Sequence, residues 1–291
     1  MSSILDEKKS ALLWKKVIAE AENLPSLPDI VSKVLEQIDN PNSNPKDFQE
    51  IICKDPVLTA KVLKMSNSAY YGYSREIATI SEAIIILGLD TLKSLVIAAS
   101  AYASLSREAE GYGLQRGALW RHSLATAAGA RSIAKQIGYK EIEKFFVAGL
   151  LHDIGKILLN RYIGKFIDKI NTLTKMRDIS FDIAEREVMG FNHCDVGAEL
   201  SNYWKLPDLF YDIAKYHHTP SACTTKNRSL VEIVHIADIL SYSLRIGIGK
   251  DGAYYKPSEK IFEKYNIDKK TRDKFITKIH TSLRELEKTV L

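Results

Sequence analysis

The sequence is poor in cysteine and has no long uninterrupted apolar run. Its three cysteines form no pair with the spacing of a redox or zinc motif, which excludes a disulfide framework and favours a reducing compartment. The most apolar stretch, residues 83–105, carries Asp90 and Lys93 near its middle, and charges at that depth argue against a membrane span. The first residues show no signal peptide. We therefore expect a cytoplasmic protein with no membrane partner.

Charge of one sign is not concentrated enough to predict a nucleic-acid interface. The chain has 41 basic and 36 acidic residues, a net charge of +5. Ten basic and six acidic residues lie between Lys256 and Lys288, so +4 of that excess (10 − 6) is local to the C-terminus. A solvated helix face explains this distribution better than a binding surface does. We do not expect nucleic acid to be the partner.

Alternation of apolar and polar residues, the pattern of a half-buried strand, is also missing over any useful length. Helix start signals are frequent instead: Asn44 and Asp55 each precede a proline, and residues 79–82 fit a capping box. Gly88 and Gly138 stand where a left-handed residue ends a helix. The sequence predicts an all-α fold.

The predicted helices fall into three parts. Short helices precede the polar, glycine-containing connection at residues 106–113, and longer helices are expected at 116–137, 140–162 and 268–290. The predicted parts are an N-terminal helical lobe (20–108), a second helical lobe (109–245) and a basic C-terminal helical extension (246–291).

Histidine is the most informative residue type in the chain. Several histidines and two aspartates lie in or at the ends of helices rich in apolar residues, where ionisable groups need partners. A divalent metal is such a partner, because imidazole and carboxylate are good ligands for iron, manganese, zinc and nickel. We predict one or two ions, with iron or manganese favoured by the mixed ligand set and zinc or nickel left open. The candidate metal ligands are His122, His152, Asp153, His193, His217, His218 and Asp238.

The adjacent His152-Asp153 pair is unusual, because neighbouring side chains on a helix point about 100° apart. The pair suits a cluster that lies between the two side chains, with the carboxylate bridging two ions. The chain between His122 and His152 is predicted to run along one helix and return along the next. This would place the two side chains at the same height along the helix pair.

Simpler explanations exist for each candidate. His122 could be a hydrogen-bonded core histidine, and the His152-Asp153 pair could lock a helix crossing. The histidines at helix ends could act as caps, and Asp238 could accept a bond from His235 or a backbone amide. Taken together, these explanations require several independent coincidences, so we favour the metal cluster.

Three other residues are set apart from the predicted ligands. His235 lies three residues before Asp238 and could orient a ligand. His280 lies in the basic C-terminal helix and is expected at the surface. Cys194 follows His193 directly and is expected to face elsewhere on its helix.

Segments 24–35, 52–73 and 78–96 carry a family resemblance. Their sequences, LPSLPDIVSKVL, ICKDPVLTAKVLKMSNSAYYGY and ATISEAIIILGLDTLKSLV, resemble the HDOD family, the "HD-related output domain" of bacterial signalling proteins. The resemblance covers about residues 20–240. It implies a helical lobe packed on an HD-like lobe and a role in regulation, because the family is described as having lost some catalytic residues of the HD superfamily.

The order of the seven candidate ligands is similar to the H…HD…H…HH…D pattern of HD-GYP phosphodiesterases, which carry two or three metal ions and hydrolyse cyclic di-GMP. This resemblance implies catalytic roles for Asp153 and for Lys156, the latter as a phosphate contact. The chain departs from the pattern after His218, where residues 219–223 read TPSAC in place of the glutamate and GYP loop. We therefore expect weak or no cyclic di-GMP hydrolysis.

Three functions follow from these observations. The favoured one is a regulatory module that binds a signalling protein or a nucleotide, cyclic dinucleotides included, and holds a metal centre. The alternative is a metal-dependent phosphohydrolase, in which the metal polarises phosphate and generates hydroxide. A third is an interaction scaffold with no small ligand.

Overall fold

A computed structural model describes residues 5–23, 31, 33–34, 37, 44–73, 75–251, 255 and 257–290. Within these ranges the chain forms α-helices and short 3-10 turns and no strand; a single antiparallel bridge joins Ala109 to Leu114. The all-α prediction is confirmed. No helix in the described ranges is long and apolar enough to cross a membrane.

The helices are numbered here in chain order. They are α1 (Glu7–Ala19), α2 (Pro45–Ile52), α3 (Pro56–Ser66), α4 (Ile80–Leu87), α5 (Leu89–Leu105), α6 (Ala118–Ile137), α7 (Ile142–Leu151), α8 (Gly155–Ile163), α9 (Ile167–Arg177), α10 (Phe181–Met189), α11 (His193–Tyr203), α12 (Asp208–Tyr216), α13 (Arg228–Ser243), α14 (Glu259–Lys264) and α15 (Lys269–Val290).

The chain divides into two compact units. One comprises Met1–Leu24 and Leu105–Ile279, and the other comprises Pro25–Ser104 and His280–Leu291. All seven candidate ligands belong to the first unit, within Leu105–Ile279. The domain boundaries expected near residues 108 and 245 stay predictions.

Local sequence signals determine where the helices of the second unit begin. Asn44 and Thr79 each form a capping box, and the Asp55 carboxylate accepts from the amides of Val57 and Leu58. These side chains satisfy amide groups that have no partner within the helix. Gly88 ends α4 with φ 84° and ψ 160°, a conformation that favours glycine but differs from the left-handed helical one that the sequence predicts.

The first unit departs from the sequence prediction where the site is built. One helix was expected over residues 140–162, but α7 ends at Leu151 and α8 begins at Gly155. Residues 152–154 between them form a tight turn, in which the Ile154 amide donates to the Leu151 carbonyl at 3.2 Å. Apolar periodicity did not reveal this break because the turn keeps helical dihedral angles, with φ −55° and ψ −37° at His152.

Candidate metal centre

Two close helix contacts bring the candidate ligands together. A Cβ atom on Gly149 of α7 would lie 2.8 Å from the Cα of Ala127 in α6, so only glycine lets these helices approach so closely. A Cβ on Gly155 would lie 2.0 Å from the carbonyl oxygen of His193 and 2.5 Å from the amide nitrogen of Gly197. The turn between α7 and α8 therefore lies directly against the beginning of α11.

A first group contains His122, His152, Asp153 and Asp238. Nε2 of His122 lies 2.9 Å from Oδ1 of Asp238 and 3.7 Å from Oδ2 of Asp153. Nε2 of His152 lies 3.4 Å from each of the same two oxygens. Ligand atoms that share one ion at a bond length near 2.1 Å lie about 3.0 to 3.4 Å apart. Three of the four contacts, at 2.9 and 3.4 Å, lie in or close to this range and the fourth, at 3.7 Å, is longer. His122, His152 and Asp153 therefore form a group that could hold one ion, and Asp238 lies beside it.

A second group forms around the other oxygen of Asp153. Oδ1 of Asp153 lies 3.6 Å from Nε2 of His193 and 3.6 Å from Nε2 of His217. Nε2 of His218 lies 3.1 Å from Nε2 of His193. Asp153 thus presents one oxygen to each group, which is the arrangement of a carboxylate that bridges two ions.

Cys194 also belongs to the second group, so its predicted orientation away from the cluster is wrong. Its Sγ lies 3.6 Å from Nε2 of His193 and 4.0 Å from Nε2 of His217. Although adjacent Cα–Cβ bonds on a helix diverge by about 100°, the imidazole is long enough for Nε2 to come back over the neighbouring thiol.

The seven predicted ligands are enclosed, with side-chain exposures between 0% and 4%. Within the described ranges, both ring nitrogens of His122, Nε2 of His152 and all four carboxylate oxygens of Asp153 and Asp238 form no hydrogen bond of good geometry. Two of these oxygens have a charged or imidazole neighbour, since Oδ2 of Asp153 lies 2.9 Å from the Lys156 ammonium and Oδ1 of Asp238 lies 2.9 Å from Nε2 of His122. A buried polar atom without such a bond costs about 1–3 kcal/mol. Asp238 accepts no bond from His235, whose ring nitrogens contact the His217 carbonyl and the Ser258 amide, whereas His122 does contact a carboxylate, since its Nε2 lies 2.9 Å from Oδ1 of Asp238. A bound cation fits this donor set, because it would satisfy the convergent lone pairs at once.

The protonation states of the first group suit metal binding. Burial alone would raise the pKa of Asp153 and of Asp238, but Lys156 and neighbouring histidines outweigh it at Asp153, and His122 and His152 outweigh it at Asp238, so both pKa values lie well below the usual range. Burial lowers the pKa of His152. The carboxylates are thus ionised and His152 is neutral, as metal ligands must be.

The second group combines neutral and protonated imidazoles. Burial and the neighbouring His217 and His193 hold the pKa of His218 well below its usual value. Burial opposes protonation of His193 and His217 as well, yet their acidic neighbours, Cys194 first among them, raise both pKa values, that of His217 to about 10. A cation bound here would replace these protons.

Hydrogen bonds behind the imidazoles aim their Nε2 atoms into the cluster. Nδ1 of His152 donates to the Gly149 carbonyl at 2.7 Å, and Nδ1 of His217 donates to the Ala214 carbonyl at 3.0 Å. Nδ1 of His193 donates to the buried carboxylate of Glu185. Such partners fix the tautomer and orientation of a ligand. Glu185 could not be recognised from the sequence as a partner of His193, because it lies eight residues earlier and on a different helix.

Two further histidines lie outside the ligand set. Nδ1 of His235 donates to the backbone carbonyl of His217 at 2.8 Å, so His235 supports the position of a ligand residue. His280 is exposed in α15.

Lys156 is buried beside the cluster, with 1% exposure. Its Nζ forms ion pairs with Oδ2 of Asp153 at 2.9 Å and Oδ2 of Asp251 at 2.6 Å, and it donates to the Tyr242 hydroxyl at 3.2 Å. Burial would lower the pKa of Lys156, but the two carboxylates raise it well above its usual value. The ammonium group is therefore fully charged and already neutralised from within the chain.

An aromatic side chain covers the second group. The ring of Tyr255 stacks on His218 with a centroid separation of 4.1 Å and an interplanar angle of 14°. Asp251 and Tyr255 could not be assigned to the site from the sequence, because both lie in the loop-like segment after α13 and no motif marks them.

Comparison with known proteins identifies similar sequences and folds. The family model described as "HDOD domain" matches residues 24–220. An uncharacterized protein of Treponema pallidum is 26% identical over 234 residues, which are 80% of this chain and 45% of that protein. The chain therefore spans about half the length of this curated relative.

Solved structures share the fold. An HDOD domain protein of unknown function from Geobacter sulfurreducens is 28% identical, with a TM-score of 0.72 over 95% of this chain and 97% of that one. A candidate phosphohydrolase from Shewanella amazonensis is 24% identical, with a TM-score of 0.72 over 94% and 98% of the two chains. A candidate signal transduction protein from Marinobacter aquaeolei is 17% identical, with a TM-score of 0.73 over 100% of this chain and 67% of that one.

Proposed function

Because this chain belongs to the HDOD domain family, we propose that it is a signal-transduction module that holds a dinuclear metal centre and binds a partner protein or a nucleotide. The observation that carries the proposal is the enclosure of a complete ligand set, with side-chain exposures of 0–4% and with Lys156 already neutralised by Asp251. Catalytic metal sites keep a coordination position open to substrate, whereas structural sites are closed.

In this proposal the ligands would serve two ions. Asp153 would be shared between them, because its Oδ2 faces the first group and its Oδ1 faces the second. The other first-position ligands are His122, His152 and Asp238, and the other second-position ligands are His193, His217 and His218. Bound cations would supply fixed positive charge that ties these helices together, and iron or manganese suits a mixed histidine and carboxylate set.

One observation favours the alternative function, a metal-dependent phosphohydrolase. Nζ of Lys156 lies 2.9 Å from the bridging carboxylate of Asp153, so it would be close to a phosphate at the proposed centre. In that case Asp153 would hold the ions and Lys156 would stabilise charge on the phosphoryl oxygens. Asp251 would have to release Lys156 first.

A combined binding and activity measurement tests the proposal. The purified chain is reconstituted with iron or manganese without oxygen and titrated calorimetrically with cyclic dinucleotides and mononucleotides. It is then assayed against cyclic di-GMP, nucleotides and a chromogenic phosphodiester, beside Asp153→Ala. We expect bound metal with turnover at the level of the variant. Efficient cyclic di-GMP turnover that Asp153→Ala abolishes would instead make the protein a phosphodiesterase.

A further inference from the structure

Cys194 faces the second position although the HD-type ligand pattern contains no cysteine there. Its side chain is buried, with 3% exposure, and its Sγ lies 3.6 Å and 4.0 Å from the Nε2 atoms of His193 and His217. One ligand atom each from His193, Cys194, His217 and His218 lies within 4.8 Å of the others. The thiol is therefore inside the group rather than beside it.

The spacing of the sulfur matches coordination. A thiolate at about 2.3 Å and an imidazole at about 2.0–2.1 Å from one ion lie about 3.1 to 3.8 Å apart for angles of about 90° to 120° at the metal. Sγ of Cys194 lies within this range from Nε2 of His193, at 3.6 Å, and slightly beyond it from Nε2 of His217, at 4.0 Å.

A second observation points to a cation at the same place. Oδ1 of Asp153 is buried, forms no hydrogen bond within the described ranges, and faces the Nε2 atoms of His193 and His217. Nδ1 of His193 is already used by Glu185. An anionic oxygen, a sulfur and inward-facing ring nitrogens thus converge on one point.

Cys223 is a buried cysteine that lies away from the histidine cluster and serves as a comparison for Cys194. Its Sγ lies 3.5 Å from the Thr225 hydroxyl, and Cys223 belongs to neither of the metal-capable groups among the described residues. Both cysteines are buried, with exposures of 3% for Cys194 and 0% for Cys223. They therefore form a matched pair for substitution.

We propose that Cys194 is a thiolate ligand of the second ion, a role that rests on the proposed metal centre. On binding, the S–H bond breaks, its proton leaves to solvent and the sulfur lone pair forms the metal–sulfur bond. A soft thiolate added to three imidazoles and the Asp153 carboxylate selects zinc or ferrous iron over manganese or magnesium at this position. The two positions then differ in preference, because the first offers only imidazole and carboxylate.

Cobalt substitution tests the role of Cys194 without any assay of activity. The full chain is stripped with chelator and titrated with Co²⁺, and the near-ultraviolet spectrum is recorded for a thiolate-to-metal charge-transfer band. We expect the band in the wild type and in Cys223→Ser, and its loss in Cys194→Ser. Zinc-loaded wild type should show a sulfur neighbour at about 2.3 Å by X-ray absorption, and Cys194→Ser should bind zinc at least tenfold more weakly.

The possible failures are distinguishable. Two equivalents of cobalt bound with no thiolate band in the wild type would overturn the role of Cys194 and leave the metal centre intact. No cobalt bound at all would overturn both. Because the wild-type spectrum and the zinc–sulfur distance need no variant, the result does not depend on how well Cys194→Ser folds.

Discussion

Asp153 is the residue on which both groups of ligands depend. Each of its oxygens faces one group, and Oδ2 also pairs with the buried ammonium of Lys156 at 2.9 Å. Asp153→Ala should therefore lose both ions and destabilise the chain by about 3 kcal/mol or more, because it leaves buried charge with fewer partners. Metal analysis and denaturant unfolding measure the two effects.

His280→Ala is the control for this substitution, since His280 is exposed and belongs to no metal-capable group among the described residues. It should keep full metal content and wild-type stability. If Asp153→Ala retains its ions and unfolds like the wild type, the centre is misassigned.

Asp251 acts on the same lysine but should not affect the metal. It lies 2.6 Å from Nζ of Lys156 and is 1% exposed, and it is not among the proposed ligands. Asp251→Asn should destabilise the chain by about 2 kcal/mol, less than Asp153→Ala, because Lys156 keeps its other carboxylate. Denaturant unfolding and metal analysis should show lower stability with unchanged metal content. A loss of ions in this variant would mean that Asp251 is itself part of the centre.

At the scale of helices, the sequence predicted most boundaries because they depend on local chemistry. The structure has the predicted helix caps at Asn44, Asp55 and Thr79. It also has the predicted glycine at the end of a helix, Gly138. The break at residues 152–154 was missed, since a turn of three residues with helical dihedral angles shifts the apolar period too little to be seen between two apolar helices.

The sequence also predicted the candidate ligands of the site but not the residues that surround them. The seven candidate ligands could be named from their residue types and order, and the structure brings them together. Glu185, Asp251 and Tyr255 could not be named, because their positions near the ligands result from packing between helices and loops far apart in sequence. Cys194 was misjudged because helical geometry alone ignores the reach of a neighbouring imidazole.

The contact between α8 and α11 makes a prediction at this scale. A methyl group at Gly155 would meet the His193 carbonyl oxygen at 2.0 Å and the Gly197 amide nitrogen at 2.5 Å, and neither backbone atom can move without shifting α11. Gly155→Ala should therefore displace His193 from Asp153, weaken metal binding at the second position and destabilise the chain by about 3 kcal/mol.

Gly164→Ala is a matched control at the end of the same helix. Its backbone is right-handed helical, with φ −52°, and an added Cβ would meet only the Cα of Gly111, at 3.5 Å. Gly164→Ala should leave the metal content unchanged and change the free energy of unfolding by at most about 1 kcal/mol. Equal metal content in Gly155→Ala and Gly164→Ala would show that the close contact does not position the ligands.

For the whole molecule, the proposed ions would join segments that are far apart along the chain. The seven ligands span residues 122 to 238 and lie on α6, α11, α13, the turn after α7 and the end of α12. A cation that binds only the folded state stabilises it by mass action, by about 4 kcal/mol at a thousandfold excess over its Kd. The second unit, Pro25–Ser104 with His280–Leu291, contains none of the proposed ligands.

Metal removal should therefore act on one unit selectively. At about 2–4 °C per kcal/mol for a unit of this size, chelation should lower the melting temperature of the first unit by about 10 °C, because its ligands lose the cations that bind only its folded form. Differential scanning calorimetry of metal-loaded and chelated protein measures the shift, and amide hydrogen exchange assigns it to residues. Protection should fall in α6, α11 and α13 and stay constant in α3 and α4. An equal loss of protection in α3 and α4 would mean that the metal stabilises the chain by another route.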